Sequence, residues 1–325
     1  MKKLLMALLV VGTLVACGTK EEAKQENGAA STKKERVAIV SKGYQHEFWR
    51  TVEAGAKKAS DELGIEMSFI GPEKESEIGK QVSMVENEVL KKPTALLLAA
   101  LDQNALRPIA QQIIDGGTTL VTFDSNINGG IEASFVATDN VQVGVKAAQK
   151  MIELIGEEGT VGVIAHNAGT STAIERTKGF VEEMKKYPKI KLLTTKYSDG
   201  DKLKALAITQ DIVTANPEIK GVYGTNEGSA VGVGRAISEM GKSDSITVVG
   251  VDSSAEEVAL LKEGALDAMV VQDPFNMGYM AVKTAMAAAH GETVEKRIDT
   301  GSTVVTLENL ETEKVQKILY PFGKK

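Results

Sequence analysis

Polar residues recur at one kind of place in this chain, directly after short apolar runs. Asp124 follows Thr119–Phe123, Asn226 follows Gly221–Thr225, Asp252 follows Thr247–Val251, and Gln272 follows Ala268–Val271. After the first apolar run a short loop leads to His46, Phe48 and Trp49, and Trp49 is the single tryptophan of a chain with only 4% aromatic residues. Carboxylates accept hydrogen bonds, amides donate and accept, and aromatic rings cover apolar C–H faces. The combination suits a small, neutral, polyhydroxylated ligand, since each hydroxyl donates one bond and accepts two. Bonds to charged groups contribute about 1.5–3 kcal/mol each, so a few of them decide which epimer fits. Taken singly, each residue also has a plainer role. Asn226 and Asp252 can cap the helices that follow them. Asp124 opens Asp124-Ser125-Asn126-Ile127-Asn128-Gly129-Gly130, an ordinary Asx-turn sequence. Phe48 has helical spacing to Val52 and can be core; Trp49, adjacent to it, is expected on another face, so that the two do not share one hydrophobic stripe. Gln272 can merely end a strand. The repetition at successive strand ends is what raises the set above its members.

Strand ends can converge only if the elements behind them are organised to bring them together. Strands are expected at Val37–Val40, Ile65–Ile70, Ala95–Ala99, Thr119–Phe123, Ser134–Ala137, Val161–Ala165, Lys191–Thr195, Gly221–Gly224, Ile246–Val251 and Ala268–Val271. Most are continuous apolar runs, the pattern of parallel strands covered on both faces. Helical patterns lie between them. In Glu47–Leu63, the residues Phe48, Val52, Ala56, Ala59 and Leu63 share a face and Gly64 supplies the stop. Another helix fits Gly278–Ala289, after Gln272-Asp273-Pro274 breaks the pattern. Alternating βα units imply doubly wound parallel sheets. One sheet is expected from about Arg36 to Thr138 and a second from after Asp139-Asn140 to about Val271, and ligands of such sheets bind beyond the carboxyl ends of the strands.

The 325 residues carry a formal charge of −6 and no basic cluster, which argues against nucleic acid as a partner. The single cysteine, Cys17, excludes an internal disulfide and a thiolate metal site. It closes Leu14-Val15-Ala16-Cys17, behind Lys2, Lys3 and an apolar stretch from Leu4 to Val15. This run resembles a bacterial lipobox, so 1–16 is expected to be a lipoprotein signal peptide and Cys17 to carry lipid. The segment 17–35, without an aromatic residue, is expected to be a flexible tether reaching about 20–25 Å. The body is then extracytoplasmic and attached to the cell membrane only through its anchor.

In order and spacing, Glu47-Phe48-Trp49, Val121-Thr122-Phe123-Asp124, Ala137-Thr138-Asp139-Asn140, Ala168-Gly169-Thr170-Ser171 with Glu175-Arg176 and Gly179-Phe180, Gly224-Thr225-Asn226-Glu227, Val248-Val249-Gly250-Val251-Asp252 and Val271-Gln272-Asp273-Pro274 mark the chain from Arg36 to about Val305. So marked, it resembles the ribose-binding-protein-like, type I periplasmic binding proteins, the substrate-binding components of bacterial ABC importers. The resemblance implies two doubly wound α/β lobes joined by a three-crossover hinge near Asp139, Gln272 and Asp299. One lobe would comprise 36–138 plus 273–299 and the other 139–272 plus 300–325. It implies that Phe48 and Trp49 stack on the ligand, that Asp124 binds hydroxyls from the first lobe, Arg176, Asn226 and Asp252 from the second, and Gln272 from the hinge. Residue pattern alone makes Arg176 a solvated helix residue. His46 and Ser125 stand where ribose binders carry Asn and Arg, and Gly200 where they carry an aromatic residue. Losing a forked donor and a stacking ring points away from ribose, toward a hexose, a furanose form or a polyol. The partners implied are a sugar or polyol and an ABC permease with a cytoplasmic ATPase; the protein is expected to act as a monomer, without cofactor or metal.

Other functions have weaker support. There is no Gly-x-Gly-x-x-Gly after the first strand, no complete P-loop ending in its Lys-Ser/Thr pair and no Gly-x-Ser-x-Gly elbow. Gly232-Val233-Gly234 falls within a helix, where small residues serve close packing. His46, His166 and His290 have no metal-ligand spacing. An extracytoplasmic sugar hydrolase would need two facing carboxyls, a role that Asp124 and Asp252 leave open. A transcription regulator of the same fold would carry a helix-turn-helix head. A nucleoside or signalling-molecule receptor would use more aromatic residues, which Tyr44 and Phe275 can supply.

Overall fold

The structure, a computed structural model, describes residues 34–321 and 323. Cys17, the expected signal peptide and nearly all of the expected tether lie outside the described residues. From Arg36 strands and helices alternate: β1 (Arg36–Val40), α1 (Glu47–Leu63), β2 (Glu66–Ile70), α2 (Ile78–Leu90), β3 (Ala95–Leu98), α3 (Arg107–Asp115), β4 (Thr119–Phe123) and β5 (Ser134–Ala137). There follow α4 (Asn140–Ile155), β6 (Glu158–Ala165), α5 (Ser171–Met184), β7 (Lys189–Leu192), β8 (Lys196–Tyr197), α6 (Lys202–Ala215), β9 (Ile219–Gly224), α7 (Glu227–Glu239), β10 (Thr247–Val251), α8 (Ala255–Lys262) and β11 (Ala268–Gln272). The described chain ends with α9 (Pro274–Ala289), β12 (Arg297–Asp299), β13 (Ser302–Val305) and α10 (Glu313–Leu319).

Two sheets result. The first has the order β12-β5-β4-β3-β1-β2 and is parallel throughout. The second has the order β13-β11-β10-β9-β6-β7, with β8 beside the end of β6, and only β13 runs antiparallel. Both are covered on both faces, because successive strand residues point to opposite sides. Val37 and Ile39 enter one core with Val52, Phe123 and Val282, while Ala38 and Val40 enter another with Leu96, Leu98 and Ile113. The second sheet divides its residues in the same way. Sheet order reverses beside β1 in the first lobe and beside β6 in the second. Those are the switch points at which an open α/β sheet leaves a crevice.

The chain passes between the sheets at 138–139, at 273 and at 300–301. The first and third passages are tied together. The Asp299 carboxylate accepts from the amides of Asp139 (3.0 Å) and Gly301 (2.9 Å), and Arg297 donates to the carbonyl of Thr138 (2.8 Å). Among the described residues no helix is long and apolar enough to cross a membrane.

Some local expectations need correction. The strand expected at Lys191–Thr195 lies at Lys189–Leu192, with the separate pair Lys196–Tyr197 after it. The helix expected from Gly278 begins at Pro274. Asp273 caps it by accepting from the Asn276 amide at 3.0 Å, and proline is welcome in a first turn, whose amides need no helical partner. What looked like a break in the pattern is therefore a helix start.

Candidate functional site

The carboxyl ends of the strands in both lobes face one crevice, and its inner part is lined by Lys42, His46, Phe48, Trp49, Glu75, Asp124, His166, Arg176, Asn226, Asp252 and Gln272. The free space among them is about 20 Å³, room for about one water molecule, so a larger ligand enters only when the lobes part. Of the ligand-binding residues expected from sequence, all but Ser125 reach this lining. Ser125 is fully buried; its hydroxyl donates to Asp124 at 2.6 Å and holds that carboxylate instead of facing the cavity.

The two strand-end aspartates are built alike. Asp124 after β4 and Asp252 after β10 have φ of 54° and 87°, a region that costs non-glycine residues energy and clusters at functional sites. Asp124 pairs with the Lys42 ammonium at 2.9 Å. Asp252 accepts from the Glu227 amide at 2.9 Å and from the Gln272 side chain at 2.6 Å. Asp252 does not cap α8; Ser254 does, in a capping box with Glu257. Asn226 does cap α7, its Oδ1 accepting from the Ser229 amide at 2.9 Å, while the residue also lines the cavity. Capping and lining are thus compatible roles of one amide.

Arg176 is 2% exposed and so is not the solvated helix residue its pattern suggests. Glycines bring α5 against α4: a Cβ on Gly144 would stand 2.1 Å from the Arg176 carbonyl oxygen, and one on Gly179 2.1 Å from that of Val141. This close approach sinks Arg176 beneath the crevice. Its Nε donates to Asn140 and its Nη1 to the Thr225 carbonyl, both at 2.8 Å. Two of its donors fix the fork and the rest remain for the cavity.

Phe48 and Trp49 are adjacent yet join one apolar cluster, contrary to the expectation of separate faces. Their rings meet edge-to-face at 5.0 Å, and Trp49 meets Phe123 in the same manner at 6.2 Å. The Trp49 indole donates to Glu75 at 3.0 Å, and Lys42 lies 5.6 Å from its ring centroid. The aromatic wall is therefore locked in place before any ligand arrives.

Charge is concentrated around His46, which is 3% exposed. Its Nδ1 lies 3.6 Å from Glu227 and its Nε2 4.0 Å from Glu75, and neither nitrogen has a hydrogen-bond partner. Burial disfavours the charged imidazole, but Glu227 and Glu75 outweigh it and raise the His46 pKa. Burial likewise opposes ionisation of Glu227, yet His46, Lys202 and the Phe48 amide hold its carboxyl below the usual range. Burial raises the pKa of Asp252 despite the nearby Arg176. His166 is fully enclosed between the hydroxyls of Thr225 (2.8 Å) and Thr172 (2.9 Å), and burial pushes its pKa well down, so it serves as a neutral hydrogen-bonding group.

Lys42, Glu75, His166 and Glu227 were not singled out from sequence as binding residues. His166 directly follows β6 and Glu227 follows Asn226, so the strand-end rule had the signal for both. Lys42 lies two residues beyond β1. Glu75 sits in a loop, and nothing in the sequence pattern marks it. Lys42 also supplies, from a different strand end, the cation that Ser125 does not.

Residues 37–293 match the family described as a periplasmic binding protein domain. The chain is 31% identical to the D-allose-binding periplasmic protein of Escherichia coli, over 77% of this chain and 83% of that one. It is 28% identical to the ribose import binding protein of the same organism, over 81% of this chain and 88% of that one. A carbohydrate transporter solute-binding protein from Agrobacterium radiobacter, solved in complex with D-arabinose, superimposes with a TM-score of 0.85 at 36% identity, covering 89% of this chain and 100% of that one.

Proposed function

The chain belongs to the periplasmic binding protein family of substrate-binding transport proteins, and from that premise we propose that it binds a sugar or sugar-like polyol between its two lobes and delivers it to the permease of an ABC importer. The observation that carries this reading is the convergence of Asp124 from one lobe with Arg176, Asn226 and Asp252 from the other, beside Phe48 and Trp49, around a single cavity. The carboxylates and amides match ring hydroxyls, and the aromatic wall matches a C–H face. Relatives named for D-allose and ribose, and one solved with D-arabinose, support the ligand class.

Binding works through differential contact. Only the closed form presents both sets of donors and acceptors, so a ligand shifts the population toward it. The hinge is formed by the passages at 138–139, 273 and 300–301. The pairing of Lys42 with Asp124, and the absence of a ring at Gly200, favour a sugar of different shape from ribose. Lipid on Cys17 and the segment after it would tether the body to the membrane and keep it near its permease. Intact-mass analysis of membrane-extracted protein tests that attachment: acyl chains on Cys17 are expected, and an unmodified thiol contradicts it.

A thermal-shift panel of pentoses, hexoses, polyols and nucleosides tests the ligand class. A ligand at a thousandfold excess over its Kd stabilises by about 4 kcal/mol. A shift with a sugar or polyol is the expected result. A shift confined to nucleosides would replace this reading with a nucleoside receptor, and turnover of a sugar by the pure protein would replace it with a hydrolase.

A further inference from the structure

We propose that a second cavity, on the outer side of Gly200, is a ligand subsite, and that the protein takes a sugar joined to a second polar, uncharged unit: a disaccharide or glycoside. The proposal rests on the sugar-binding reading and deepens it. The outer cavity measures about 650 Å³, within the range of small-molecule sites, against about 20 Å³ for the inner one. Its walls come from both lobes, with Gln45, Glu73 and Ser76 on one side and Asp199, Gly200 and Leu203 on the other. A ligand filling it would bridge the lobes just as one in the inner cavity does.

His46 lines both cavities, and Gly200, in the outer wall, packs against residues that line the inner one. A Cβ on Gly200 would lie 3.3 Å from Glu75 and 3.4 Å from both Asn226 and His46. Its φ of 70° further disfavours any side chain. The glycine thus keeps the partition between the two cavities thin, where any side chain would press on Glu75, Asn226 and His46. In that partition, His46 is buried with two ring nitrogens that lack hydrogen-bond partners. A buried polar atom of this kind calls for a partner, and a hydroxyl or bridging oxygen of an extended sugar supplies one.

Apart from Lys74, which is exposed, the charged residues of the outer wall are already engaged, Glu73 with Lys80 at 3.5 Å. Lys204 pairs with Asp199 at 2.6 Å, and Lys202 with Glu256 at 2.9 Å and Glu227 at 3.5 Å. Asp201 is engaged in capping α6 through the Lys204 amide at 2.9 Å. This balance favours a neutral, hydroxyl-rich unit over a phosphate or an amine. Leu203 is 71% exposed at the rim and offers an apolar surface to the C–H face of a second ring.

Titration calorimetry of the full chain compares D-glucose, D-galactose, D-allose and D-arabinose with their methyl glycosides and with maltose, cellobiose, lactose and melibiose. At least one extended sugar is expected to bind about tenfold more tightly than its parent monosaccharide. Ser76→Trp fills the outer cavity from an exposed loop. It should abolish that advantage and leave monosaccharide affinity within about twofold. Leu203→Trp, from the opposite wall, should do the same. Monosaccharides that bind while every extended sugar binds more weakly would overturn the subsite and leave the sugar reading intact. So would tryptophan variants that weaken both classes equally. Failure of both classes to bind would overturn the sugar reading, and the subsite with it.

Discussion

Lys42 and Asp124 hold opposite charges 2.9 Å apart at 5% and 3% side-chain exposure. Removing one partner of a buried pair leaves the other uncompensated, at a cost of about 3–5 kcal/mol. Lys42→Met is therefore expected to destabilise the protein by about that amount in urea unfolding and to weaken sugar binding. Adding Asp124→Asn should restore part of the stability but not the binding. Equal, additive losses would show that the pair is not coupled. His46 gives a pH dependence whose sign follows from its raised pKa. The favourable interaction of protonated His46 with Glu227 and Glu75 is complete below the unfolded imidazole pKa of about 6.5 and is lost as pH rises through the higher folded value. Stability should fall as pH rises above the unfolded value, and His46→Gln should flatten that limb of a pH series; an unchanged profile would contradict the assignment. At this scale, Asp124, Asn226, Asp252 and Gln272 could be found from sequence because they terminate apolar strands. Arg176 could not, because its burial depends on the α4–α5 approach at Gly144 and Gly179. Glu75 could not, because its partner Trp49 is 26 residues away in sequence.

The elements that deliver these residues were legible where an apolar run spans a whole strand, as in β3 with Ala95–Leu98 buried throughout, or where a helix shows one clean face, as in α1. They were hidden where polar residues dominate a short pairing. β12 is Arg-Ile-Asp, and only its neighbour β5 makes it a strand. Helix α8 carries a further prediction. Glu257 closes its capping box yet is fully buried beside Glu227 and Asp252, and burial first, then those carboxylates, raises its pKa well above the usual value. The folded state then keeps a proton that the unfolded chain releases above pH of about 4.3, so this group lowers stability progressively as pH rises from there toward its folded pKa. Glutamine can close the same box without charge. Glu257→Gln should raise the melting temperature at pH 7 and matter little at pH 4; a loss of stability at both would indicate that the carboxylate is ionised and needed.

The whole molecule was legible as two lobes, because alternating βα units recur over more residues than one sheet holds. The way the chain returns at 300–301 rests on long-range pairings that no local pattern encodes. Asp299 joins two of the three passages by accepting from Asp139 and Gly301. Asp299→Ala should loosen the hinge, enlarge the radius of gyration of the sugar-free protein in small-angle scattering and weaken sugar binding by about tenfold, with the inner cavity untouched; identical scattering and affinity would mean that the link does not govern closure. The most direct test of the central claim, that sugar is held jointly by both lobes, is calorimetric titration of D-allose, D-ribose and D-arabinose into the wild type, Asp124→Ala and Asp252→Ala. Saturable binding of at least one sugar, one molecule per chain, lost or weakened by about 10–100-fold from either lobe, is the predicted result. Binding that survives both substitutions, or no binding by any of the sugars, would contradict the account.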